Sequence, residues 1–141
     1  TARADRIDIT PSGLVITDYK TGQIPSDQKV ISGQAPQLPL EAAIAIAGGF
    51  TGVPSGPVSG LAYIRSTGGT PPGEDHIVKV EAGALAATQI DGLNRLIARF
   101  DDPATPYAAL RRAGYSYDYD DFAHLARVAE WSAPADGGEE S

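Results

Sequence analysis

Residues 4–22, ADRIDITPSGLVITDYKTG, decide how this chain is read. Two runs of alternating character, 4–9 and 14–20, flank the turn-forming TPSG at 10–13, which predicts a β-hairpin. Pairing Ile9 with Leu14 sets Asp5 opposite Asp18. It also puts Lys20 on the face of Asp18, while Arg6, Asp8 and Tyr19 point the other way. Two facing carboxylates repel and weaken a strand pair. A divalent cation removes that repulsion, and Mg²⁺ is held by one or two carboxylates with water and phosphate completing its shell. The pattern therefore predicts a metal site with a lysine beside it. A solvated surface hairpin with scattered charges is the plainer alternative. Against it, Asp is depleted in strands, and the Asp5/Asp18/Lys20 face also carries Ile7, Ile9, Leu14 and Ile16, which fits the rim of a cleft.

The 141 residues are one domain's worth of chain, with 42% hydrophobic and 21% charged residues, as in ordinary globular proteins. No long apolar run marks a membrane span, and no charged-then-apolar leader marks secretion, so a cytoplasmic location is expected. With no cysteine, the chain has no disulfide framework, thiol nucleophile or iron–sulfur ligand. It opens in mid-pattern without Met, which predicts an internal or C-terminal piece of a longer protein. A net charge of −7 argues against a self-sufficient nucleic-acid binder. A nuclease whose basic surface lies on other parts of an assembly stays compatible with it.

Beyond the hairpin, 21–33 reads as a loop with a short extended piece at 29–31. PQLPLEAAIAIAGG then predicts a helix entered at Pro36–Pro39 and stopped at Gly48-Gly49, with Leu40, Ile44 and Ala47 as its core stripe. Gln37 and Glu41, four apart, share one side beside that stripe. Strands are expected at 58–65 and 76–81, joined by the Gly/Pro-rich STGGTPPGED. His76, with no second ligand at metal spacing, reads as structural. Residues 82–100 form the clearest amphipathic helix, with a stripe of Ala86, Ile90, Leu93, Ile97 and Phe100 against one face of a sheet. Arg95 and Arg99 read as its solvated side. A Tyr-rich segment (Tyr107, Tyr115, Tyr117, Tyr119) with Arg111-Arg112 reads as a packing or docking element, since Asp118, Asp120 and Asp121 follow. FAHLARVAEW gives a short last helix with Phe122, Leu125, Val128 and Trp131 on its apolar side, and 133–141 a disordered tail. The expected organisation is a core over 1–104, a C-terminal segment over 105–132 and that tail.

ADRID, DYKTG and PQLPLEAAIA together resemble the RecB-type nucleases of the PD-(D/E)XK superfamily, most of all the C-terminal nuclease domain of the B subunit of bacterial AddAB helicase–nucleases. The ending DYDDFAHLARVAEW is similar to the end of that subunit. The resemblance implies an α/β, restriction-endonuclease-like core, a mixed sheet begun by the hairpin and flanked by helices, with its N-terminal helix preceding Thr1. It implies that Asp5 and Asp18, with the backbone carbonyl of Tyr19, hold Mg²⁺ or Mn²⁺. Lys20 then takes the place of the catalytic lysine and Gln37 that of the helix glutamine. Asp8, three residues from Asp5, is the alternative first acid if a bulge shifts the register.

The resemblance further implies phosphodiester hydrolysis of single-stranded DNA fed by a helicase partner subunit, for end processing in recombination repair in the bacterial nucleoid. Three departures stand out. Glu41 occupies the position where the family commonly carries Tyr, no Cys is available for the iron–sulfur cluster of many relatives, and the family's upstream helix with its His is absent from this sequence. The competing reading is a catalytically silent docking module that keeps the fold, supported by the acidic balance and Glu41. Hydrolysis of small phosphoesters has no pocket signature in the sequence.

Overall fold

Strands β1 (Arg6–Thr10) and β2 (Gly13–Lys20) form the hairpin. The turn closes where Thr10 Oγ1 donates to Gly13 O at 2.7 Å. Gly13 has φ +131°, and a Cβ there would stand 2.5 Å from the carbonyl oxygen of Pro57, so both conformation and space demand glycine. Ile9 pairs with Leu14, Ile7 with Ile16 and Arg6 with Thr17, the register that the sequence predicts. The computed structural model describes residues 2–106. The Tyr-rich segment, Arg111-Arg112, the last helix and the tail lie outside them.

β2 continues as the parallel neighbour of β3 (Val58–Ser66), and β4 (Gly73–Ile77) closes the other side antiparallel to β3, giving the order β1-β2-β3-β4. Register slips by one between Leu14/Val58 and Val15/Gly60, leaving Ser59 as a bulge whose hydroxyl donates to Leu14 O at 3.2 Å. Parallel neighbours need a long crossover. Here it carries α1 (Asp27–Ile31) and α2 (Gln37–Ile46), and α3 (Ala82–Asp101) follows β4. Helices α2 and α3 pack on each other and against β3, and α2 also reaches β2. The core is Leu14, Ile16, Leu61 and Tyr63 from the sheet, facing Leu38, Ala42, Ala45, Leu85 and Ala86 from the helices. A mixed four-stranded sheet flanked by helices is the restriction-endonuclease-like α/β arrangement expected from the sequence.

Four local expectations are corrected. Residues 29–31 are helical, because Ser26 caps α1 by accepting from the Lys29 amide. The buried stripe of α2 is Leu38, Glu41, Ala42 and Ala45, not Leu40, Ile44 and Ala47. A helix apolar on most sides offers several faces, and packing against α3 and the sheet selects one. β4 begins at Gly73, three residues early, since ladder bonds to β3 and not side-chain propensity hold Gly73, Glu74 and Asp75. The stripe of α3 is buried only in its first turns. Leu93, Leu96 and Ile97 are 37%, 52% and 49% exposed, and the buried residues of the helix are Ala82, Leu85 and Ala86. No helix among the described residues is long and apolar enough to cross a membrane.

Candidate active site

Asp18 stands near the C-terminal end of β2, 2% exposed, where the strand leaves the apolar face formed by Ile16. Lys20, two residues on and therefore on the same face, places Nζ 2.7 Å from Asp18 Oδ2. The N-terminus of α2 arrives over this point because Leu38 and Ala42 anchor the helix in the core. Gln37 Nε2 donates to Asp18 Oδ1 at 2.7 Å, and Lys20 Nζ donates to Gln37 Oε1 at 3.3 Å. Hairpin and helix thus supply a closed triangle of Asp18, Lys20 and Gln37. The Lys20 ammonium also lies 5.9 Å from the centre of the Tyr63 ring.

Asp5 precedes β1, and its Oδ2 accepts from the amide of Tyr19 at 3.1 Å, beside Asp18 in the chain. Continuing the observed register sets Asp5 across from Asp18. Asp8 instead faces Val15 and is tied to Arg6 at 2.9 Å, and Arg6 also donates to Tyr19 Oη at 3.4 Å. These three side chains lie on the opposite face, so the structure brings Asp5, Asp18, Lys20 and Gln37 to one locality and keeps Asp8 away from it.

Two further groups belong to this locality that the sequence does not mark as site residues. Glu41, one helical turn after Gln37, is 4% exposed, and its Oε1 accepts from Gln37 Nε2 at 3.2 Å. Burial pushes its pKa above the ordinary carboxylate range. The hydrogen bond from Gln37 opposes this, while the charges of Asp18 and Asp5 add to it. Tyr63, fully buried, is the β3 partner of Asp18 and lies across from His76 on β4, so these residues form one row across the sheet face. Burial, reinforced by the charges of Asp18 and Glu41, pushes its phenol up to about 12, so it stays protonated at neutral pH. Only the packed sheet reveals Tyr63, because β3 by itself reads as an ordinary apolar strand. His76 ends the row in a bond of 2.6 Å to Asp27 of α1, as a structural histidine does.

The acid groups fit a hard divalent cation. Asp18 Oδ2 is buried and paired with the Lys20 ammonium at 2.7 Å, whereas Glu41 Oε2 is buried with no hydrogen-bond partner. Such oxygens are costly without a compensating charge. Among the described residues no three His, Cys, Asp or Glu side chains are gathered at metal-binding spacing, and a hard cation that takes one or two carboxylates is the kind these acids would suit.

A 49-residue stretch of the chain is 45% identical to an uncharacterized protein of Rickettsia conorii (strain ATCC VR-613 / Malish 7), covering 34% of this chain and 6% of that protein. The chain thus spans a small fraction of that relative's length. No solved structure matches the chain. The family model of the PD-(D/E)XK nuclease superfamily matches residues 1–130, and the chain belongs to this superfamily.

Proposed function

We propose that this chain is the nuclease domain of a helicase–nuclease, hydrolysing single-stranded DNA that emerges from an unwound duplex end, in double-strand-break processing for recombination repair. The observation that carries this reading is the Asp18–Lys20–Gln37 triangle at the meeting of hairpin and helix. The nuclease superfamily supports the reaction class. The resemblance of the hairpin, the Gln37 helix and the chain's ending to the AddAB B subunit supports the helicase partner and the nucleoid setting.

Asp5, Asp18 and the carbonyl of Tyr19 would hold Mg²⁺ or Mn²⁺, whose chemistry is to polarise the phosphate and acidify water. Asp8, paired with Arg6 on the other face, is the weaker choice for that role. Lys20 presents its ammonium beside Asp18, where it stabilises charge developing on the phosphoryl oxygens. Gln37 holds Lys20 and Asp18 in fixed relation through its two amide atoms, so the lysine is oriented before substrate arrives. Tyr63 fills the space beneath and keeps water from the inner side of the pair.

The alternative, a silent docking module, draws on the net charge of −7 and on Glu41 in place of the family's tyrosine. The full-length protein with its partner separates the two on end-labelled single-stranded DNA. Cleavage in Mg²⁺ that stops in EDTA, and an Asp18→Asn protein that folds but does not cut, are the results expected of the nuclease. Equal cutting by Asp18→Asn and wild type would assign the activity elsewhere.

A further inference from the structure

We propose that Glu41, coupled to Asp18 through the Gln37 amide, contributes its charge to the cation site from beside the ligands and so sets how tightly the site holds a divalent ion. This rests on the reading of Asp5 and Asp18 as cation ligands. Three observations lead to it.

The first is burial without compensation. Glu41 is 4% exposed, yet Oε2 meets no hydrogen-bond donor, and no ion pair joins it to a cationic side chain among the described residues. A glutamate that only filled space on an Ala-rich helix would turn its carboxylate to solvent, as long polar side chains do. This one is held inward.

The second is the bridge. One amide nitrogen, Gln37 Nε2, donates to Asp18 Oδ1 at 2.7 Å and to Glu41 Oε1 at 3.2 Å. Its two hydrogens are thereby spent on two acids, and the carbonyl end of the same amide accepts from Lys20. Glu41 and Asp18 are therefore fixed to each other through a single planar group.

The third is charge. The charges of Asp18 and Asp5 both reach Glu41, and Lys20, paired with Asp18, opposes them there. Three acids against one ammonium leave an excess of negative charge that a divalent ion would offset. Asp18 Oδ2 already pairs with Lys20, and the buried oxygen left without a partner, Glu41 Oε2, is the one that such a charge would satisfy.

Glu41 stands four residues after Gln37, where a tyrosine is common in the resembled nucleases. In this chain the position would thus serve cation binding.

The test is direct titration of the full-length protein with Mn²⁺, followed by electron paramagnetic resonance of the free ion, for wild type, Asp18→Asn, Glu41→Gln and Glu41→Ser. No DNA is present, so the readout is independent of activity. Asp18→Asn should lose the site. Glu41→Gln, of the same shape but without charge, should weaken Mn²⁺ binding at least tenfold, and Glu41→Ser, which cannot reproduce the amide's hydrogen bonds, should show the same loss. The rise in melting temperature that Mn²⁺ gives the wild type should shrink in both Glu41 variants. Wild-type affinity in the Glu41 variants, with loss in Asp18→Asn, overturns the role of Glu41 and leaves the metal reading intact. Wild-type affinity in Asp18→Asn overturns the metal reading, and the role of Glu41 with it.

Discussion

Gln37 is the residue on which the site's geometry depends most. A single amide joins Asp18, Lys20 and Glu41, so Gln37→Leu removes three hydrogen bonds at once and leaves two buried acids without a neutral donor. Unmaking part-buried hydrogen bonds to charged groups costs about 1.5–3 kcal/mol of stability. Loss of the fixed lysine should lower the cleavage rate by about 10²-fold. Denaturant unfolding and single-turnover cleavage of the variant measure the two effects separately. Much of this site was legible before the fold. Period-two alternation and the TPSG turn placed Asp18 and Lys20 on one face and Asp5 across from Asp18, and the proline-marked start of α2 placed Gln37. Glu41 was legible only as a departure from a family pattern. An acid inside EAAIAIA has no sequence signal for burial, which arises from the face that α2 presents to the sheet.

At the level of elements, the hairpin depends on Gly13. Gly13→Ala puts a methyl group against the Pro57 carbonyl, which accepts from the Leu14 amide at 2.8 Å, in a backbone region that alanine avoids. A loss of about 2 kcal/mol or more in thermal unfolding is expected. The attachment of α1 to β4 makes a separate prediction in pH. Asp27 accepts from His76 and from the Lys79 amide, and the His76 bond in particular holds its carboxyl below the ordinary 3.8. The unfolded chain therefore takes up the proton more readily than the folded one. This contribution is complete above the unfolded value and is lost as pH falls through the depressed folded value. Asp27→Asn should be about 1 kcal/mol less stable at neutral pH and should show a flatter loss of stability below about pH 4 in acid titrations followed by circular dichroism. The sequence reads His76 as structural and within a strand, but the Asp27 end of this contact and the first residues of β4 escape it. Five residues are too few for a visible helical period, and the GED of β4 has no strand propensity, so the ladder with β3 alone makes it a strand. The long period of α3 and the alternation of β2 and β3 were clear because each repeats over many residues.

For the whole molecule, the sheet gathers its chemistry at one place. The hairpin brings two acids and a lysine to one end of β2, the crossover returns α2 with a glutamine to the same end, and β3 underlies both with Tyr63. On the proposed reading, the net charge of −7 would place the burden of holding DNA on basic groups near the site and on partner surfaces. The central claim is that this constellation cuts DNA, and Lys20 tests it most directly, because its ammonium contributes charge at the reacting centre while its stem is not part of the core. The decisive measurement is the single-turnover rate on end-labelled single-stranded DNA in Mg²⁺, for the full-length protein with its partner, comparing wild type and Lys20→Ala. The expected result is a rate lowered by at least about 10³-fold in a variant whose circular dichroism matches wild type. Undiminished cleavage by a folded Lys20→Ala protein would contradict the account.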